Sequence, residues 1–244
     1  MRKIGWLVVM LLCWASQARA QQTLTVVFEE WPPYQYTQDG KVIGIDTEVL
    51  EEAFRRMGVT PKFRSLPWTR ALNEVKEGDA DAIFSMGYPE QHPFLFFPKT
   101  PISDQRSVLF ARKDSPVQVS DIHDLEGKSV GVVKSNIYGD LFDKNEKILR
   151  DESSSQEMEF DKLLAGRYDV LITFELVGLF FVKQKQLADQ VKMLDYIVDT
   201  QPTYVGFSKA KGAQSEALAN QLSDVLAQLR QEGFMETVRN KYLK

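Results

Sequence analysis

The sequence is poor in side chains that perform covalent chemistry. Its 244 residues include one cysteine, Cys13, and two histidines, His92 and His123. A zinc site needs three or four imidazole, thiolate or carboxylate ligands, and a thiol nucleophile needs a cysteine within the folded domain. The sequence has no H-E-x-x-H and no glycine-rich phosphate-binding motif. This composition favours a protein that binds its ligand without metal or cofactor over one that transforms it.

Residues 1–20 have the pattern of a secretory signal peptide. A positively charged start is followed by an apolar run of eleven residues, 4–14, and then by Ala-Arg-Ala at 18–20, which has the small-x-small spacing that signal peptidase cleaves. A membrane-spanning helix needs about 20 apolar residues, so this run is too short for an anchor. The sequence therefore predicts export to the periplasm and a mature chain that begins at Gln21.

Two alternatives remain for this end of the chain. The apolar run could act as a membrane anchor despite its length, or Cys13 could carry a lipid. A lipid-modified cysteine normally follows a small residue, whereas Cys13 follows the bulky Leu12. A freely diffusing exported protein is the better interpretation.

The mature chain must be stabilised by its core. Cleavage removes Cys13, so no disulfide can form, and about 224 residues remain in a sequence that is 43% hydrophobic. Without Arg2, Lys3 and Arg19, 27 of the 30 basic residues remain against 34 acidic ones, a net charge of −7. This balance argues against a nucleic-acid partner. We expect a soluble, freely diffusing protein.

Short β-rich runs alternate with helical patterns, which predicts an α/β fold with mostly parallel strands. A helix capped by Asp46 is expected to end at Gly58, and a second to end at Gly78. Polar, proline-containing stretches at 101–105 and 199–203 are candidates for crossings between two lobes. The predicted strands are 24–28, 62–66, 81–84, 108–111, 129–133, 169–172 and 204–207, and the other helices are 69–77, one from about 138, 160–165 and two at the C-terminal end.

Six short phrases, in the same order along the chain, resemble the extracellular solute-binding proteins of family 3. Each phrase is weak evidence alone, but the ordered set covers nearly the whole mature chain. The phrases are 29–34 (EEWPPY), 40–46 (GKVIGID), 77–82 (EGDADA), 124–132 (DLEGKSVGV), 164–169 (LAGRYD) and 229–234 (LRQEGF).

The resemblance implies a periplasmic-binding-protein-like fold of type II. Two α/β lobes are joined by a two-strand hinge, with a ligand cleft between them. Lobe 1 would comprise 21–103 plus 203–244, and lobe 2 would comprise 104–202. Members of this family close their lobes around a small polar solute, commonly an amino acid, and deliver it to an ABC permease. The resemblance thus implies a monomeric binder that serves uptake or sensing without catalysis.

The same resemblance implies a set of binding residues. Trp31 and Trp68 would present two indole faces to an aliphatic or cationic group. Ser85 would offer its hydroxyl and backbone, and Ser135 and Asn136 would meet the anionic end of the ligand. The alternatives are that one tryptophan belongs to the core and that Ser85 and Asn136 only stabilise a turn or cap a helix.

The sequence departs from the family pattern at two positions. Amino-acid binders have an arginine that pairs with the ligand α-carboxylate, whereas this chain has Gln91 there, so the bidentate charged contact is missing. The acid expected to receive the α-ammonium is replaced by Phe174, with Glu175 beside it. Glu175 either substitutes for that acid or simply begins the next helix.

Arg70, two residues after Trp68, is our candidate to replace the missing arginine by facing the cleft. It lies in the sequence 67–72 (PWTRAL), which resembles a branch of the family whose ligands are mostly undefined. Lys134 and Arg106 are weaker candidates. A solvent-exposed arginine on a helix surface is the alternative for Arg70.

Two other functions remain open beside solute binding. The same scaffold hosts periplasmic dehydratases of prephenate-like substrates, in which Glu175 or Glu30 would act as the acid if burial raised its pKa. The chain could also be a sensory module with a degenerate cleft that reports to a membrane receptor. Fold alone does not separate these functions.

Overall fold

The computed structural model describes residues 22–134 and 136–243. The predicted signal peptide and Ser135 lie outside the described residues. Within these ranges no helix has both the length and the apolar character required to cross a bilayer.

The described chain alternates strands and helices, as the sequence predicts. The strands are β1 (Gln22–Phe28), β2 (Tyr36–Gln38), β3 (Lys41–Ile43), β4 (Val59–Ser65), β5 (Ala82–Met86), β6 (Leu95–Phe96), β7 (Ser103–Arg112), β8 (Ser129–Val133), β9 (Leu149–Ser153), β10 (Val170–Phe174) and β11 (Val191–Ser208). The α-helices are α1 (Ile45–Met57), α2 (Trp68–Glu77), α3 (Asp140–Asp143), α4 (Gln156–Leu164), α5 (Glu175–Gln184), α6 (Ala213–Gln231) and α7 (Phe234–Leu243).

One path of paired strands runs through the whole molecule in the order β4-β1-β5-β11-β7-β10-β8-β9. The pairs β1–β4 and β1–β5 are parallel at one end, and the pairs β8–β10 and β8–β9 are parallel at the other. In the middle, β11 and β7 run antiparallel to each other and to their outer neighbours. The expectation of mostly parallel strands therefore holds within each half and is wrong for the strands that connect the halves.

The two halves are connected by a ribbon made of the paired strands β7 and β11. From the pair Ser103 and Thr203 to the pair Ser107 and Asp199 the register is unbroken. The proline-containing stretches of the sequence thus form paired strands, and Pro202, which has no N–H to donate, lies opposite Asp104. The division of the chain into two lobes that move as units, with boundaries near residues 103 and 203, remains a prediction.

The apolar side chains form separate cores on the two sides of the ribbon. In the first half, one cluster joins β1 and β5 to α1 and α6, and another lies under α2. In the second half, two clusters surround β8 and β10. Because each fully buried leucine or phenylalanine contributes about 2 kcal/mol, each half has its own source of stability. Trp31 and Val177 pack against the cores of both halves.

The helix ends show where local sequence signals decided the structure. Gly58 and Gly78 adopt the left-handed conformation and end α1 and α2, as predicted. The predicted cap at Asp46 is wrong, because Gly44 precedes the helix at φ 132° and Asp46 lies within the first turn. A Cβ at Gly44 would lie 2.3 Å from the carbonyl oxygen of Tyr34, so only glycine fits this close approach.

Asp46 is fully buried and belongs to a hydrogen-bond network. Its Oδ2 lies 2.5 Å from the Oγ of Ser85, which also lies 2.7 Å from the Oε1 of Gln35. A serine hydroxyl has one proton and cannot donate to two acceptors. A protonated Asp46 that donates to Ser85, which in turn donates to Gln35, satisfies both contacts. Burial raises the pKa of Asp46 to about 6, which favours this protonated form.

The replacement Asp46→Asn tests this network through the pH dependence of folding. The folded-state pKa of about 6 lies above the ordinary value of 3.8, so the stability that the neutral carboxyl contributes is complete below about pH 4 and is lost as the pH rises through 6. The loss amounts to about 3 kcal/mol. In denaturant unfolding measurements, we expect the unfolding free energy of the variant relative to wild type to be higher at pH 8 than at pH 4, by up to about 3 kcal/mol.

The matched control is Asp39→Asn, because Asp39 is an exposed carboxylate in the turn between β2 and β3 and is not among the groups that shift the pKa of Asp46. Its stability difference from wild type should change little between pH 4 and pH 8. If the difference in unfolding free energy between Asp46→Asn and wild type were constant across this range, it would contradict the raised pKa of Asp46.

Candidate functional site

A cavity of about 450 Å³ opens between the two halves beside the β7–β11 ribbon. It lies where strands of both halves end, the usual position of ligand clefts in open α/β sheets. Its lining comes from the segment after β1, the start of α2, the end of β5, the ribbon, and the segments that follow β8 and end β10. The lining residues are Glu29, Trp31, Gln35, Trp68, Ser85, Gly87, Tyr88, Gln91, His92, Gln105, Asn136, Ile137, Phe174, Gln201 and Thr203.

The ribbon presents alternate residues to opposite sides. Gln105 and Gln201 line this cavity, whereas their neighbours Arg106 and Thr200 line a second cavity of about 380 Å³ on the other side. This is the two-residue period of a strand. Arg106, a weaker candidate for the missing cation, is therefore on the face of the ribbon away from the main cavity.

The two tryptophans that the sequence singles out both line the cavity and are both half-buried. The ring of Trp31 packs on Phe174 at 5.7 Å between centroids, which joins the first half to the end of β10. The indole N–H of Trp31 is buried and has no partner among the described residues. Trp31 thus belongs to the cavity wall and also contacts the core, so the two interpretations of this residue are not exclusive.

Glu29 holds the start of α2 against the cavity. Its Oε1 accepts a hydrogen bond of 3.1 Å from the backbone N–H of Trp68, the first residue of the helix. This contact fixes the indole at the cavity wall and places a carboxylate at the helix N-terminus, where the helix dipole stabilises negative charge.

The polar lining is made mostly of neutral groups. It contains five carboxamides and three hydroxyl side chains: Gln35, Gln91, Gln105, Asn136, Gln201, Ser85, Tyr88 and Thr203. Among the described residues, Glu29 is the only carboxylate in the lining. Burial lowers the pKa of His92, which leaves its imidazole neutral at neutral pH. In the described part of the chain no lysine or arginine lines the cavity.

Five of the eight predicted site residues are brought together here: Trp31, Trp68, Ser85, Gln91 and Asn136. Whether each contacts a ligand stays a prediction. Ser135 lies outside the described residues. The remaining two, Arg70 and Glu175, are not in the lining.

The expectation that Arg70 faces the cleft is wrong. Helix α2 buries Ala71 and Val75, and Arg70 projects from its outer surface with 67% of its side chain exposed. Its Nε lies 3.1 Å from the Oε1 of Glu74. A residue two positions after Trp68 is rotated by about 200° around the helix axis, so it cannot share the cavity with Trp68.

Glu175 does not line the cavity either. Glu175 begins α5, the alternative that the sequence left open. Its Oε2 accepts a hydrogen bond of 2.9 Å from Arg239 of α7 and also pairs with Arg106 on the ribbon. The carboxylate, with its side chain 12% exposed, therefore connects α5, α7 and β7 behind the ribbon.

In the described part of the segment after β8, the donors of Asn136 are already used. The backbone N–H of Asn136 donates to the carbonyl of Val133 at 3.2 Å, and its side-chain amide donates to the hydroxyl of Tyr138 at 3.3 Å. The helix predicted from about 138 begins only at Asp140 and has four residues. Asn136 reaches the cavity, but its backbone N–H is already used. Lys134 is exposed and lies outside the lining.

Several lining residues were missed at the level of sequence. Gln105, Gln201 and Thr203 were included in the predicted crossings of the two-strand hinge, but the sequence did not give the pairing register of these strands. The register places every second residue on the cavity face. Glu29 and Tyr88 carried no signal that distinguishes them from surface residues.

Residues 24–244 match the sequence profile of the bacterial extracellular solute-binding proteins, family 3. A probable amino-acid-binding protein, YxeM of Bacillus subtilis (strain 168), is 23% identical over 214 residues, which cover 86% of this chain and 79% of that protein.

Two solved structures support the fold. The L-cystine solute receptor of Neisseria gonorrhoeae, in its unliganded open conformation, is 21% identical with a TM-score of 0.71 and covers 92% of this chain and 93% of its own. A histidine kinase sensor domain with similarity to periplasmic binding proteins is 22% identical with a TM-score of 0.71 and covers 92% of this chain and 98% of its own. The fold is thus the α/β fold of the type II periplasmic binding proteins. Because the profile spans nearly the whole described chain, this protein belongs to the bacterial extracellular solute-binding proteins of family 3.

Proposed function

We propose that the protein captures one small polar solute in the periplasm, between its two halves, and delivers it unchanged to an ABC permease. Residues 1–20 would direct its export, and their cleavage would release the mature protein. The relative YxeM is named as a probable amino-acid-binding protein and the gonococcal structure as an L-cystine receptor. The family assignment supports the transport role.

The observation that carries this proposal is the cavity beside the ribbon. Its volume of about 450 Å³ suits a solute of the size of an amino acid or diamine, and it is walled by residues from both halves. Because β7 and β11 are the strands that join the halves, bending of this ribbon would bring Trp68 and Asn136 together around a solute and exclude water.

Solute binding should change the intrinsic fluorescence of the mature protein. Trp31 and Trp68 are the only tryptophans after residue 20, and both line the cavity. We expect a saturable change in emission, together with a higher melting temperature, when the protein is screened against amino acids, polyamines, small peptides, sugars and carboxylates. Small-angle scattering should show a smaller radius of gyration in the bound state.

Trp68→Ala should weaken binding of the solute found in this screen by about tenfold or more, because it removes an aromatic wall of the cavity. Arg70→Ala, on the outer face of the same helix, is the matched control and should bind as the wild type does. Equal affinities of wild type and Trp68→Ala would contradict the assignment of this cavity. If no compound changed the fluorescence or the melting temperature, the sensory alternative would be favoured. The histidine kinase sensor domain shows that a protein with this fold can be part of a receptor.

The enzymatic alternative receives little support from the candidate acids. Glu30 is exposed and accepts hydrogen bonds from the backbone N–H and hydroxyl of Thr37, both at 2.7 Å, and Glu175 is held by two arginines. Neither residue lines the cavity. Residues 127–131 (Gly-Lys-Ser-Val-Gly) match the G-x-S-x-G motif of a hydrolase nucleophile elbow. However, Ser129 is the first residue of β8 and does not lie at a strand-to-helix turn.

We expect the purified protein to leave prephenate unchanged. Ultraviolet absorbance at the wavelength of the aromatic product measures this directly, with a buffer-only incubation to account for spontaneous decay. Turnover above that background that is lost in Trp68→Ala would contradict a purely binding role.

A further inference from the structure

We infer that the cavity selects a small organic cation that carries no carboxylate, such as a diamine or a guanidinium compound. This inference rests on the proposed function, since it assumes that the cavity beside the ribbon is the solute site. It follows from the charges that line the cavity, from the donors that are already used, and from the aromatic faces.

The charge of the lining is negative. Glu29 is its one carboxylate, and in the described ranges no lysine or arginine lines the cavity. The cationic side chains nearest in sequence to lining residues are outside the lining: Arg106 lies on the opposite face of the ribbon, Arg70 lies on the outer face of α2, and Lys134 is exposed. A ligand carboxylate would therefore leave water without gaining a charged partner, which is unfavourable in a closed site.

Two backbone donors at the cavity that could bind an anion without a cation are already used. Trp68, the first residue of α2, lines the cavity, and its N–H donates to Glu29. The N–H of Asn136 donates to Val133 within its own turn. A ligand carboxylate at either place would displace a contact of the protein, and at α2 it would also meet the negative charge of Glu29.

The same lining suits an ammonium or guanidinium group. Trp31, Trp68, Tyr88 and Phe174 provide aromatic rings, whose faces attract cations. Glu29 uses Oε1 to cap α2, and a carboxylate has about four acceptor positions in total, so it retains capacity for a ligand N–H donor. The carboxamide oxygens of Gln91, Gln105 and Gln201 are further acceptors.

The buried Asp46 does not oppose the selection of a cation. It contacts the lining residue Ser85 and is either neutral or negative. Ser85 and Gln35, which contact each other at the cavity wall, carry no charge. The electrostatic preference of the site is therefore set by Glu29 and reinforced whenever Asp46 is ionised.

Pairs of compounds that differ only by the carboxylate test the inference. The probes are agmatine and arginine, cadaverine and lysine, and histamine and histidine, titrated against the wild-type mature protein by tryptophan fluorescence and calorimetry. We expect at least one amine to bind, and to bind at least tenfold more tightly than its parent amino acid.

Each other outcome of this titration is decisive. A parent amino acid that binds as tightly as its amine overturns the inference but leaves the proposed function intact. The same holds if all three amines fail while a neutral or anionic compound from the wider screen binds. Failure of every compound to bind overturns the proposed function together with the inference.

Two substitutions separate charge selection from general damage to the site. Glu29→Gln keeps an oxygen that can cap α2 but removes the charge, so affinity for the amine should fall at least tenfold while the melting temperature changes little. Gln91→Arg introduces a cation into the lining and should shift the preference between agmatine and arginine at least tenfold toward arginine. Arg70→Ala is the control and should change neither the affinity for the amine nor the preference between agmatine and arginine. Unchanged selectivity in both variants would overturn the inference.

Discussion

The pairing of β7 with β11 is the interaction on which the rest of the structure depends. These are the strands that extend through both halves, and their unbroken register between Ser103 and Ser107 joins two sheets that each have their own core. Because strand residues alternate between faces, the same ribbon contributes Gln105 and Gln201 to the cavity and Arg106 to the opposite side. A shift of one residue in this register would place Arg106 in the cavity, where its charge would offset that of Glu29.

The walls of the cavity are fixed by contacts that lie just outside it. Glu29 holds the first residue of α2, and the buried Asp46 holds Ser85, which in turn contacts Gln35. Such supporting contacts hold the lining in place before a ligand arrives, so less conformational entropy is lost on binding. On the other side of the ribbon, Glu175 connects Arg106 to Arg239 and so joins the helices of the two halves.

Local signals in the sequence predicted much of the fold. The glycines at 58 and 78 ended their helices as expected, because a left-handed helix end needs glycine for purely local steric reasons. The prediction that Asp46 caps α1 was wrong, since the close approach of Tyr34 selected Gly44 at that position and drew Asp46 into the core. Long-range packing overrode a local preference there.

The sequence by itself determined the family, the alternation of strands and helices, and the two tryptophans of the cavity, because these depend on ordered motifs and on hydrophobic periodicity. It also predicted that Gln91 stands where the amino-acid binders of the family have an arginine. Only the tertiary structure decided which charges reach the cavity. Arg70 and Glu175 are near lining residues in sequence but point away from the cavity, since the direction of a side chain depends on helix rotation and on ion pairs with distant segments.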